Sequence, residues 1–227
     1  MTEQEVQILI EKVEQADSSF GLFQAVQSLA VSGHEKAIPT LIQALGYNNP
    51  GAAVAAVEGL IQMGDVTVSY LLAQIDGYNY GARAWATRAL AGIGHPSALA
   101  HLQEAAKRDF SMSVRRSAAK GLGNICWHKL PDERVNTAQN QVLETLIEVS
   151  HDPEWVVRYA AVVGLQNLGM LTKQTQPKLM DTLVPRLQQM LINEPELGVC
   201  ARIRLALENL NPKILKTQNS SSGNDSG

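Results

Sequence analysis

A short apolar pattern recurs along the chain, and it constrains the fold more than any other feature of the sequence. Clear copies read AVEGLIQMG, ATRALAGIG, AAKGLGNIC and AVVGLQNLG, and weaker copies read AVQSLAVSG and RLALENLN. The copies align a set of leucines: Leu29, Leu60, Leu90, Leu122, Leu165 and Leu207. Their spacing is roughly thirty residues at first and about forty later, which is the range of helical repeats. The sequence therefore predicts a repeat protein whose last two repeats carry insertions.

A second amphipathic segment precedes most copies of this pattern. These segments read KAIPTLIQAL, VTVSYLLAQI, PSALAHLQEAAK, NQVLETLIEV and LMDTLVPRLQQML, with apolar residues at the period of a helix. Gly33, Gly64 and Gly94 lie where these helices are expected to end. Each unit is predicted to be a helical hairpin, and stacked hairpins bury one continuous core.

The predicted architecture is an all-α, HEAT-like helical-repeat solenoid of about six helical hairpins. We expect this elongated, curved solenoid to occupy residues 1–211. Residues 212–227, which end in KTQNSSSGNDSG, are expected to form a disordered polar tail because they lack the apolar side chains of a core.

Charge and cysteine usage exclude several classes of function. Lys and Arg number 19 against 22 Asp and Glu, so the excess of positive charge that general nucleic-acid binding requires is missing. The sequence has no P-loop, no dinucleotide fingerprint and no HExxH motif, and we expect no metal site. A signal peptide is not expected, nor an apolar run long enough to span a membrane. Cys126 and Cys200 stand far apart, which fits a reducing cytoplasm.

Arginines recur at one position of three repeats, seven residues before the aligned leucine. An aspartate precedes each of them by six or seven residues, which gives the pairs Asp76 and Arg83, Asp109 and Arg115, and Asp152 and Arg158. The pattern is similar to the Asp–Arg ladder of HEAT repeats, in which one repeat's arginine pairs with an aspartate in an adjacent turn. We interpret these arginines as scaffold, because a repeated charge pair is usually structural.

A different row on the same helices mixes aromatic and basic residues. It takes the positions ten, six and two residues before each leucine, which are spaced four apart and face away from the core. This row, called the stripe below, consists of Tyr80, Ala84 and Arg88, then Met112, Arg116 and Lys120, then Trp155, Tyr159 and Val163. An ordinary solvated face would be rich in Glu, Lys and Gln. The stripe therefore predicts a binding surface, with the alternative that Tyr80 and Trp155 cover the core from their turns.

The residue types in and near the stripe suit a flat, conjugated, anionic ligand. Rings can stack on aromatic side chains, here Tyr80, Trp85, Trp127 and Trp155. Carboxylates can pair with basic side chains, here Arg88, Arg116 and Lys120. A protein groove could use the same residues as hot spots, and the sequence does not separate these two kinds of partner.

The run GNICWHKLP contains the other unusual residues. Cys126 takes the position where other repeats place a helix-ending glycine, and Trp127 and His128 follow it. A thiol near an imidazole can act as a nucleophile or take part in proton transfer. Cysteine is also commonly a small buried residue, and we favour this space-filling role for Cys126.

Two segments, IDGYNYGARAWATRALAGIGHPSALAHL and VRRSAAKGLGNICWHKL, closely resemble the F-type (beta) subunits of the heterodimeric bilin lyases (CpcE/CpcF type), in particular those that act on the phycocyanin alpha subunit. The resemblance covers residues 5 to 210 approximately. It implies a cytoplasmic, cyanobacterial protein that works with an E-type partner subunit. The pair would bind phycocyanobilin as a substrate, without a separate cofactor, and attach it by a thioether bond to a cysteine of phycocyanin alpha.

The resemblance also implies roles for individual residues. Thiol addition to a bilin needs a base and a proton donor, and carboxylates can hold the pyrrole N–H groups. Asp76 and His128 are the catalytic candidates. The bilin-binding candidates are Tyr78, Tyr80, Trp85, Arg88, Arg116, Lys120, Trp127, Trp155 and Tyr159.

Two alternatives limit this interpretation. A related F-type lyase of phycoerythrocyanin also isomerises the bilin and carries NHCQGN, whereas the run here is NICWHK. Asn124 and Cys126 match, but isoleucine replaces the histidine, so attachment without isomerisation is expected. The second hypothesis is a non-catalytic HEAT-like adaptor that binds phycobiliproteins during assembly or phycobilisome degradation.

Overall fold

The computed structural model describes residues 1–75 and 80–210, and the side chain of Tyr80 lies outside that description. Over these residues the chain forms twelve α-helices and contains no strand. The helices are α1 Glu3–Glu14, α2 Ser19–Val31, α3 Ile38–Ala44, α4 Pro50–Met63, α5 Val68–Gln74, α6 Tyr80–Ile93, α7 Leu99–Arg108, α8 Met112–Leu122, α9 Asp132–Val149, α10 Trp155–Thr172, α11 Met180–Asn193 and α12 Leu197–Leu210. Short 3-10 helices cover Glu35–Ala37, Gly64–Thr67, Pro96–Ala98, Trp127–Lys129 and Pro177–Leu179.

Taken in chain order, the helices form six successive pairs, and every aligned leucine lies on the second helix of its pair. All of these leucines are buried, with exposed fractions of 0–2%. The prediction of an all-α, HEAT-like fold of about six helical hairpins is therefore confirmed. The predicted tail, residues 212–227, lies outside the described residues.

The helices end and begin where the sequence pattern predicts. Gly33, Gly64 and Gly94 have φ angles of 61°, 70° and 67°, a left-handed conformation that favours glycine and stops a helix. Asn49 caps α4 by accepting a hydrogen bond from the backbone N–H of Ala52 at 3.0 Å. Local sequence thus fixes the turns between helices before tertiary packing contributes.

Residues Met1–Leu102 form one compact unit. Within it, α2 packs on α4 and α4 packs on α6. Gly59 on α4 allows the first of these contacts, because a β-carbon there would lie 2.5 Å from the β-carbon of Ala30 on α2. Gly59, the small residue before the aligned Leu60, therefore lets α2 and α4 approach closely.

The described residues from Gln103 to Leu210 belong to a second compact unit. Here α8 packs on α10 and α10 packs on α12. A β-carbon at Gly164 of α10 would lie 2.5 Å from the carbonyl oxygen of Ala119 on α8 and 2.9 Å from Leu146 Cδ2 on α9. The missing β-carbon therefore lets α8 and α10 pack closely.

The repeat pattern also predicts core residues on the second helices, at the positions eight and four residues before the aligned leucine and three residues after it. Most of them are buried, namely Ala86, Ile93, Val114, Ala118, Ile125, Val157, Ala161 and Leu168. The prediction is wrong for Ala82 and Met63, which are only half-buried. Ala82 lies in the first turn of α6 and Met63 is the last residue of α4, and helix ends have fewer neighbours than helix centres.

One stretch of the described chain, Pro50–Gln74, is long and apolar enough by composition to cross a membrane, with a mean hydropathy of 1.2. Half of this window is buried within the fold. The stretch is also not one straight helix, because Gly64, with its φ of 70°, separates α4 from the 3-10 turn and α5. Its apolar character is explained by the core of the first unit.

Candidate functional site

Two arginines of the second unit form bidentate ion pairs with an acidic residue in the turn of the next repeat. Arg115 donates from Nε and Nη2 to Asp152 Oδ2 and Oδ1, at 2.7 and 3.1 Å. Arg158 donates from the same nitrogens to Glu194 Oε2 and Oε1, at 2.8 and 2.7 Å. We call these two pairs the ladder. Because each pair links two neighbouring repeats, the structural role predicted for Arg115 and Arg158 is confirmed.

The ladder pair of Arg158 and Glu194 is buried. The Glu194 side chain is 3% exposed and that of Arg158 is 15% exposed. The hydrogen bonds from Arg158 hold the pKa of Glu194 below its ordinary value, and the same bonds raise the pKa of Arg158. Both groups therefore stay charged at neutral pH, and the hydrogen bonds between them replace the water that each has lost.

The pairs that the sequence pattern gave are shifted by one repeat: the bidentate partner of Arg115 is Asp152 and not the preceding Asp109. The partner of Arg158 is Glu194, which the pattern missed, and not the preceding Asp152. Each arginine donates instead to the backbone carbonyl of the aspartate that precedes it. A signal was present, because Glu194 lies six residues before Cys200 and Cys200 lies seven before Leu207, the spacing shared by Asp152 and Arg158. Asp76, the aspartate that precedes Arg83, lies outside the described residues.

The stripe residues of α8 and α10 lie on adjacent helices. Arg116 and Lys120 of α8 are exposed and lie one helical turn apart. On α10, Trp155 is 47% exposed and Tyr159 is 39% exposed. A side chain that only covered the core would leave less surface free, so the exposure of Trp155 favours the binding interpretation. The structure thus brings two cations and two aromatic rings onto neighbouring helices of one unit.

The same row continues on α12, which the sequence analysis left out. The positions ten, six and two residues before Leu207 are Leu197, Ala201 and Leu205. All three are exposed, Leu197 by 82% and Leu205 by 48%. Counting back from Leu207 would have revealed them. Along α8, α10 and α12 the stripe therefore changes from cationic to aromatic to aliphatic.

In the first unit, α6 carries Trp85 and Arg88. The Arg88 Cζ atom lies 5.3 Å from the centre of a Trp85 ring, a cation–π contact. Arg88 is exposed and Trp85 is half-buried. The contact joins two of the predicted binding residues, and the Arg88 guanidinium covers part of the Trp85 ring.

Cys126 lies four residues after the end of α8 and directly before the 3-10 helix Trp127–Lys129. Cys126 is not part of a disulfide and is half-buried. His128 is exposed. Trp127 is half-buried, and its indole N–H is enclosed without a hydrogen-bond acceptor among the residues that the structure describes. The proposed chemical roles of this run stay predictions.

Three predicted site residues cannot be placed. Asp76 and Tyr78 lie outside the described residues, and for Tyr80 only the backbone is described, at the start of α6. The predicted catalytic pair of Asp76 and His128 therefore stays a prediction. Among the described residues no group of side chains that could hold a metal ion was found.

The fold and this face define a class: an α-helical repeat protein with a row of exposed aromatic and cationic side chains. A family model described as HEAT repeats matches residues 68–166, which covers α5 to most of α10. The repeat architecture that the leucine pattern predicted is thus the HEAT type.

Comparisons over nearly the whole chain narrow this class. The chain is 54% identical over 208 residues to the phycocyanin alpha phycocyanobilin lyase CpcF of Synechocystis sp., covering 92% of this chain and 95% of the relative. It is 49% identical over 214 residues to a phycocyanobilin lyase subunit beta of Pseudanabaena tenuis, covering 94% and 76%. A solved complex of CpcE and CpcF of phycocyanin lyase from Nostoc sp. contains a chain that matches with a TM-score of 0.70 and 52% identity, covering 76% of this chain and 99% of that one.

The chain belongs to the family of phycocyanobilin lyase beta subunits, the CpcF family. The resemblance found in the sequence is therefore confirmed.

Proposed function

We propose that this chain is the F-type subunit of a heterodimeric lyase that attaches phycocyanobilin to a cysteine of the phycocyanin alpha subunit. Its relatives carry this activity in their names, and a solved complex of the family pairs CpcF with CpcE. The partners are accordingly an E-type subunit, phycocyanobilin and phycocyanin alpha. The relatives are cyanobacterial, and we place the chain in the cytoplasm, where its free cysteines stay reduced.

The observation that carries the proposal is the exposed stripe on α8 and α10. An open-chain tetrapyrrole offers flat conjugated rings together with propionate carboxylates. The half-exposed rings of Trp155 and Tyr159 can stack on the pyrroles. The exposed side chains of Arg116 and Lys120, one helix away, can pair with the propionates.

In the proposed reaction, the acceptor cysteine of phycocyanin alpha adds across the ethylidene double bond of the bilin. A carbon–sulfur bond forms, the thiol loses its proton to a base, and the neighbouring carbon of the bilin takes up a proton. Nothing is oxidised or reduced, so no redox cofactor is needed. His128 and Asp76 are proposed for moving the proton and for holding the pyrrole N–H groups.

The reacting thiol belongs to the acceptor protein, so Cys126 needs no nucleophilic role. Its half-buried position in the turn after α8 is compatible with the space-filling role that the sequence favoured. Attachment without isomerisation stays the proposed outcome, because isoleucine precedes Cys126.

The proposed clamp can be tested by charge reversal. The Arg116→Glu variant should bind phycocyanobilin at least about tenfold more weakly, since a charge-assisted contact is replaced by repulsion. Binding is measured by the change of bilin absorbance on titration, and circular dichroism checks the helical content. Lys178→Glu is the matched control, because Lys178 is exposed on the 3-10 helix before α11. Equal affinities for the two variants would refute the clamp.

A further inference from the structure

A third arginine of the second unit has the burial of a ladder arginine but not its carboxylate. Arg186 of α11 is half-buried. Its Nη2 donates to Ser150 Oγ at 3.0 Å and contacts the imidazole of His151. Among the described residues Arg186 forms no ion pair, and its Nε–H is buried without an acceptor. Burial alone lowers the pKa of this guanidinium.

The two partners of Arg186 are placed to accept hydrogen bonds from it. Ser150 Oγ donates its own hydrogen to the Ile147 carbonyl at 2.6 Å and keeps its lone pairs for Arg186. His151 Nδ1 lies 3.1 Å from the same carbonyl. Since a guanidinium can only donate, the matching tautomer carries its hydrogen on Nδ1 and accepts from Arg186 through Nε2.

The ladder shows how the Nε and Nη2 side of a guanidinium binds an anion in this fold. In Arg115 and Arg158 the Nε and Nη2 nitrogens together grip one carboxylate. In Arg186, by contrast, Nη2 contacts the Ser150 hydroxyl and the His151 imidazole, and the Nε–H has no acceptor among the described residues. A guanidinium that is partly removed from water and has no counter-charge is left incompletely solvated, so this arrangement favours an added anion.

The space for an anion lies beside these groups. A surface cleft of about 300 Å³ is lined by Ser150, His151, Arg186, Gln189 and Asn193, together with the ladder pair of Arg158 and Glu194. Glu194 is neutralised by Arg158, so Arg186 supplies an uncompensated positive charge. Gln189 and Asn193 add amide groups that can donate to an oxygen.

We propose that this cleft is a carboxylate-binding site. The ring of His151, which is exposed, turns aside, and the carboxylate takes the Nε and Nη2 edge of Arg186 in the bidentate geometry of the ladder. The carboxylate comes from a small organic acid or from an acidic side chain of a protein partner. The site is separate from the stripe and does not depend on bilin attachment.

The test uses the full chain labelled with ¹⁵N and follows the Nε–H signal of Arg186 by NMR. Citrate and a short oligoglutamate peptide are titrated separately, so that the two sources of carboxylate are distinguished. The wild type should bind at least one of them with a shift of this signal. The Arg186→Met variant, followed through the backbone N–H signals of Ser150 and His151, should bind about tenfold more weakly or not at all.

Two further variants sharpen the result. Arg204→Met is the matched control, because Arg204 is an exposed arginine of α12 in the same unit, and its binding should equal that of the wild type. His151→Ala opens the Arg186 edge and should strengthen binding, which a non-specific attraction to surface charge would not do. The absence of a shift with both probes, or equal affinities for the wild type and Arg186→Met, would overturn the proposal.

Discussion

Breaking the buried ladder pair should destabilise the protein far more than breaking an exposed ion pair. In Arg158→Met the Glu194 carboxylate, with only 3% of its side chain exposed, would lose both hydrogen bonds from the guanidinium. Leaving one member of a buried pair unpaired costs about 3–5 kcal/mol. The midpoint of urea unfolding, followed by circular dichroism, should fall accordingly, with the slope unchanged.

The matched control is Arg108→Met, which breaks the exposed pair between Arg108 and Glu104. Their side chains are 73% and 60% exposed, and such a pair contributes about 0.3–0.5 kcal/mol. A third variant, Arg158→Met with Glu194→Met, removes both charges and should lose less stability than the sum of the single changes. Similar small shifts of the unfolding midpoint for Arg158→Met and Arg108→Met would refute the view that the ladder pair stabilises the fold.

Other predictions concern pH, packing and chemistry. Arg158 lowers the pKa of Glu194 from its ordinary value of 4.5. The ionised carboxylate therefore stabilises the fold fully above pH 4.5, and this stabilisation is lost as the pH falls through the lower pKa of the folded state. Glu194→Gln should flatten the acid side of the profile of unfolding free energy against pH. Gly164→Ala should cost about 1–3 kcal/mol in urea unfolding, because its β-carbon would meet the Ala119 carbonyl at 2.5 Å, whereas Gly198→Ala, with nothing within 4 Å, should be neutral or stabilising. Cys126→Ala should keep bilin transfer in a pigment-attachment assay, and loss of transfer by a folded variant would contradict the space-filling role.

The hairpin architecture could be predicted because each repeat contains the local sequence signals for its own helices. The aligned leucines mark one face of each second helix, and the glycines with positive φ mark the ends. Copies of a local signal reinforce one another, so errors in one repeat, such as the half-buried Ala82, do not change the fold.

Pairings between repeats were harder to predict. Arg158 reaches an acid 36 residues further along the chain, and that acid is a glutamate where the pattern suggested aspartate. The contact of Arg186 with Ser150 also spans 36 residues and depends on how α9 and α11 are placed, which the sequence pattern does not give.

The binding surface was only partly predictable. The exposure of Trp155 and Tyr159 followed from their helical positions. The contact between Arg88 and Trp85 also lies within one helix, at a spacing that the sequence displays. The roles of Asp76 and His128 depend on the bilin and on partner chains, so folding of this chain alone does not determine them.

The measurement that tests the proposed function most directly is co-expression of this chain with an E-type subunit, phycocyanin alpha and a supply of phycocyanobilin. Pigment on the denatured alpha subunit is detected by zinc-induced fluorescence. Covalent pigment that appears only when both lyase subunits are present is the predicted result. Soluble, associated chains that yield no covalent pigment would contradict the lyase function and favour the adaptor hypothesis.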